Sequence, residues 1–235
     1  MKKSIKVLLV IMAVILLTAG GLVIWQYDNI TAFIKGLSTS SEDLAVKIDD
    51  HRNKVKTEIV KYIPEPIEDI SAEDEKKLLS GEISLEEVAD KYKLPIEYMK
   101  DEPDNKVPNT PAEIPFDKTK TIEKEIGDSI AQLYALKAKY VNKLGELERD
   151  VKDQYTKLPE SKQNKEGKKE LIMANIDYVA GLEKTCDSEV DKVVTELEKK
   201  LKELKGDLGI IQTIRNAYEE EKELKKSYYL SLYNE

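Results

Sequence analysis

The chain has one cysteine, one histidine, one tryptophan and two phenylalanines in 235 residues. Each scarcity excludes something. A single thiol, Cys186, forbids an intramolecular disulfide. With His51 as the single imidazole, it also forbids thiolate or imidazole metal cages within one chain. Aromatics are 6% of the chain and charged residues 36%, where an average globular chain has about 25% charged. That leaves too little apolar surface for one thick core. Helical bundles and coiled coils need less, because they bury only a stripe.

Signatures of chemistry are also missing. No GxSxG is present, and His51 sits in a lysine-rich helical segment. Gly167-Lys168 lacks the upstream glycine of a phosphate loop, with Ser161 and Lys162 there instead. Asp101, Asp104 and Asn105 do not follow the ligand spacing of a calcium loop. Glu219-Glu220-Glu221 reads as a solvated helix face. No catalytic activity, cofactor or metal is expected.

Against these absences stands one long apolar run. Val7 to Trp25 is interrupted only by Thr18 and two glycines. Nineteen helical residues cover about 30 Å, the thickness of a bilayer's hydrocarbon core. Trp25 and Tyr27 fall at the far end, where aromatic rings favour the interface. The rival reading is a cleaved signal peptide with Thr18-Ala19-Gly20-Gly21 as its processing region. Leu22-Val23-Ile24-Trp25 carries the apolar run past those glycines and favours an uncleaved signal-anchor. Lys2, Lys3 and Lys6 precede the run and Asp28 is the first charge after it. The positive-inside rule then expects a single-pass protein of the cell membrane, N-terminus cytoplasmic and body extracytoplasmic.

The net charge is −8. Those three lysines are the only charges in the first 26 residues, so the rest of the chain carries −11. A body of that sign is repelled by phosphate backbones, and no nucleic-acid partner is expected.

The body reads as all-α. Residues 28–66 form a juxtamembrane segment with a helix from Ser40 to Ile63, stopped by Pro64 and Pro66. Residues 67–100 form a small helical module. Ser71 with Asp74 opens one helix and Gly81 closes it. Ser84 with Glu87 is a capping box for a second helix that ends before Pro95. Leu78, Leu79, Ile83, Val88, Ala89, Tyr92, Leu94, Ile96 and Met99 are its expected core. Leu85, Val88 and Ala89, then Leu94-Pro95, then Tyr98-Met99 resemble the first two helices of a helix-turn-helix unit over about 20 residues. Lys93 stands where such turns carry glycine, and the following segment is acidic, unsuited to a DNA groove.

Residues 101–117 hold four prolines and read as an extended linker. Residues 118–235 change pattern. Ile126, Ile130, Leu133, Lys137, Tyr140, Leu144, Leu147, Val151, Gln154 and Leu158 recur at heptad spacing. After a polar turn, so do Ile172, Ile176, Val179, Glu183, Cys186, Val190, Val193, Leu197, Lys200 and Leu204. Cys186 in that seam is expected to be buried and inert. A short turn favours a long antiparallel coiled-coil hairpin. A third helix after Gly206 and Gly209 would make a three-helix bundle, unless those glycines sit within one continuous helix. The alternative is pairing between copies, as a homo-oligomer. Tyr228, Tyr229 and Tyr233 form an aromatic cluster that serves either as core or as a docking patch for a protein partner.

The functional expectation is a membrane-tethered helical interaction or scaffold protein. The alternative is a regulatory or sensory module acting through residues 71–100.

Overall fold

The computed structural model describes residues 39–101 and 117–234. The apolar run Val7–Trp25 lies outside the described residues. Among those described, no helix is long and apolar enough to cross a membrane. The described chain is all-helical, without strands: α1 (Ser41–Ile59), α2 (Ala72–Ser80), α3 (Leu85–Tyr92), α4 (Lys118–Thr156), α5 (Lys165–Leu204) and α6 (Gly209–Asn234). Short 3-10 turns cover Ile96–Tyr98 and Glu160–Lys162. At 39 and 40 residues, α4 and α5 are each about 60 Å long.

The helix ends follow side-chain chemistry. Ser40 Oγ accepts the Asp43 amide at 3.1 Å ahead of α1. Ser71 does the same for Asp74 at 3.1 Å. Ser84 and Glu87 bond reciprocally, at 3.2 and 2.7 Å, as a full capping box. Gly81 closes α2 in the left-handed conformation, φ 78°.

The chain stops between α5 and α6, and the continuous-helix alternative does not occur. Lys205 turns left-handed, φ 50°. Its N–H donates to the Lys202 carbonyl at 3.2 Å, and the Gly206 N–H to that of Leu201 at 2.8 Å. This is the Schellman pattern, with lysine where glycine is usual. Gly209 then starts α6. A Cβ there would lie 2.7 Å from the Tyr62 hydroxyl, so only glycine fits without displacement.

Packing divides the chain into two units. One takes Leu144–Thr185, Asn216–Glu235 and the described residues up to Lys54. The other takes Val55–Lys143 and Cys186–Arg215. In the first unit, Leu44 and Ile48 of α1, Leu147 and Val151 of α4, and Val179 and Leu182 of α5 are buried. The Arg52 guanidinium lies 3.6 Å from Glu221, and Lys226 pairs with Glu183.

In the second unit the 67–100 module has its own apolar cluster. Leu78, Val88, Ala89, Tyr92, Leu94 and Met99 are buried there, and Leu79, Ile83 and Ile96 pack against them. Ala135, Ala138 and Val141 of α4 belong to the same cluster, as does Ile70. The alanines let the module approach the α4 backbone closely. Lys137 reinforces the seat with two bonds to the Asp69 carboxylate, at 2.8 and 3.0 Å.

Two glycines in α5 separate steric need from mere tolerance. The Asn164 side chain caps the helix start, accepting from Glu166 and Gly167 at 3.0 and 3.1 Å. A Cβ on Gly167 would stand 1.9 Å from the Lys162 carbonyl oxygen, whereas one on Gly181 meets nothing within 4 Å. Gly167→Ala is therefore expected to destabilise the protein by about 1–3 kcal/mol through overpacking. Gly181→Ala should stabilise it by up to about 1 kcal/mol through helix propensity. Thermal denaturation of the two variants checks this: their midpoints should move in opposite directions.

Candidate functional site

The described structure contains buried polar groups that its hydrophobic pattern alone does not need. Three sets stand out: one around Asp74, one around Lys139, and one of His51 and Glu148.

The first lies in the 71–100 module. Tyr92 donates its hydroxyl hydrogen to Asp74 Oδ2 at 2.5 Å and accepts from the Ser71 N–H at 3.0 Å. Lys91 Nζ reaches the same Asp74 oxygen, also at 2.5 Å. The Lys91 and Tyr92 hydrogen bonds hold the buried Asp74 carboxyl down to about 2, against the opposing effect of burial. A carboxylate this firmly ionised and this fully engaged is no proton carrier near neutrality. Its effect is to tie the start of α2 to the end of α3.

The second cluster joins α4 to α5 within the second unit. Lys139, 4% exposed, places its ammonium 2.9 and 3.1 Å from the two Glu189 oxygens. Tyr140 donates to Glu189 at 3.0 Å. Burial, reinforced by Glu189, pushes the Tyr140 phenol well above its ordinary range. Elsewhere in the second unit, Lys200 bonds Glu125 at 2.6 Å and Arg215 bonds Asp191 at 2.7 Å.

The third set, His51 and Glu148, belongs to the first unit. His51 is 5% exposed, and its Nε2 lies 3.0 Å from the Ala217 carbonyl. A carbonyl only accepts, so Nε2 carries the hydrogen. Nδ1 faces Glu220 at 3.4 Å. Glu148 on α4 is 8% exposed, and its Oε2 is sealed from solvent without a hydrogen-bond partner among the described residues. Burial raises its carboxyl to about 7, with Lys152 and Arg149 pulling the other way.

Of the residues expected to meet a partner, Tyr228 is half-buried on α6. The side chains of Tyr229 and Tyr233 lie outside the described residues. Cys186, expected to be fully buried, is only half-buried. Among the described residues, no group of three or more His, Cys, Asp or Glu side chains is arranged to hold a metal ion.

Sequence reasoning passed over His51 and Glu148. His51 completes an apolar spacing, standing three residues after Ile48 and four before Val55. That signal was present, masked by the lysines around it. Glu148 lies between Leu147 and Val151, one position off the seam, and only a wider buried face than a two-helix seam reveals it. No family model, no curated protein and no solved structure matches this chain.

Proposed function

We propose that the protein is a membrane-tethered helical interaction or scaffold protein. In this reading Val7–Trp25 anchors it once, the N-terminus is cytoplasmic and the acidic body stands outside. The observation that carries the proposal is the pairing of a membrane-length apolar run with a body whose two longest helices have 39 and 40 residues. Such helices give reach from a bilayer.

Paired residue numbers in the second unit support a finer reading. They add to 325 for Glu125 with Lys200 and to 328 for Lys139 with Glu189. One number falls as the other rises, which supports an antiparallel α4–α5 hairpin; in this reading α6 is the third helix of a bundle. The alternative reading, a sensory module at residues 71–100, has less room. The module's apolar residues are occupied by each other and by α4, and Asp74 is engaged by Lys91 and Tyr92.

The topology is tested with one exposed cysteine, Glu82→Cys, in a Cys186→Ala background. A membrane-impermeant thiol reagent given access to the outer membrane face is expected to label it in intact cells. The protein should also stay in the membrane pellet through a carbonate wash. Labelling only after lysis would place the body in the cytoplasm and end this reading. A mature N-terminus at Gly21 or Leu22 would replace the anchor with a cleaved leader.

A further inference from the structure

We propose that Glu148 is a proton-operated switch within the first unit: protonated, it is accommodated in the packing, and ionised, it draws in water and loosens the helices around it. The inference stands on the packing of that unit alone, whichever side of a membrane the body occupies.

Glu148 is 8% exposed and neighbours Leu147 and Val151, which are 7% and 0% exposed, on α4. Its Oε2 makes no hydrogen bond among the described residues. An ionised carboxylate buried without a partner is strongly disfavoured, and such a group answers by taking up a proton.

The charges around it do not supply a partner. Lys152 and Arg149 act on Glu148, and both belong to its own helix. Several of the charged groups that the other elements bring to this unit pair with one another. His51 and Arg52 of α1 face Glu220 and Glu221 of α6. Glu183 of α5 pairs with Lys226, and Lys225 with Glu221.

Burial holds the carboxyl at about 7 rather than its ordinary 4.5. A raised carboxyl favours the folded state fully below its unfolded value. That advantage is lost as pH rises through the folded value. The sensitive window therefore runs from about 4.5 to about 7. Tight packing is expected on its acid side and loosened packing on its alkaline side.

The test is amide hydrogen exchange on the full chain in detergent micelles, corrected for intrinsic exchange and followed from about pH 5 to about pH 8. Amides of residues 144–154 and 177–185 are expected to exchange about tenfold faster, or more, at the alkaline end. Glu148→Gln and, independently, Glu148→Met should flatten that dependence. Lys152→Gln should move its midpoint to higher pH, because removing a cation further disfavours the carboxylate. A purely structural Glu148 would not give that displacement. The proposal is overturned if the native chain shows no such dependence, or if both Glu148 variants keep it unchanged.

Discussion

Leu78→Ala is expected to cost about 2–5 kcal/mol of stability. Leu78 is 0% exposed and sits in the cluster shared by the 67–100 module and α4. Alanine would remove the transfer energy of the lost carbons and leave a cavity. The site has little means to collapse, since Ala135 and Ala138 on the α4 side are already small. Neighbouring Leu79 is only partly buried, and Leu79→Ala should cost less than half as much. Denaturation followed by far-ultraviolet circular dichroism measures both. A loss below about 1 kcal/mol for Leu78→Ala would mean that the module is not packed as described. So would an equal loss for the two variants.

That experiment touches a part of the fold that was legible from local chemistry. Ser71, Ser84 with Glu87, and Gly81 mark helix ends through bonds made within a few residues, and each appears in its expected role. The module's apolar residues were legible as well, because short amphipathic helices leave few choices of inward face. Its partner was not. Ala135 and Ala138 stand three residues apart, a helical spacing, yet alanine is common on exposed helix faces and announces no packing surface by itself. The α5–α6 break was legible as a choice between two outcomes. The bonds that decide it centre on Lys205 in a conformation sequence patterns assign to glycine.

The polar interior was the least legible. His51 and Glu148 belong to residue types that usually face water, and only the assembled unit shows them enclosed. Lys139 reads from the sequence as one more surface lysine, although Glu189 holds it at 4% exposure from 50 positions away. Such pairings depend on register between distant helices, which local pattern does not specify. Cys186 illustrates the converse. A heptad assigns it to the buried seam, yet it is half-buried.

Register is also what a pair of cysteines would test most sharply. In the Cys186→Ala background, Leu133→Cys with Val193→Cys is expected to form a rapid, nearly complete disulfide within one chain. Their numbers add to 326, between the 325 of Glu125 with Lys200 and the 328 of Lys139 with Glu189. Disulfides require Cα atoms within about 7 Å, so a register displaced by a full helical turn would prevent the bond. Val193 is 5% exposed and Leu133 half-buried, which places neither thiol where random collisions between molecules would dominate. Leu133→Cys alone should remain a reduced monomer. In a parallel coiled coil of two copies, Leu133 would meet its own counterpart, and the single variant would become a covalent dimer. Non-reducing gel mobility separates the outcomes: an internally bridged chain runs as a monomer, and a bridge between copies doubles the mass. A dimer from Leu133→Cys alone, without internal bridging in the double variant, would replace the hairpin with an oligomeric coiled coil. The two charge pairs would then have to be made between chains.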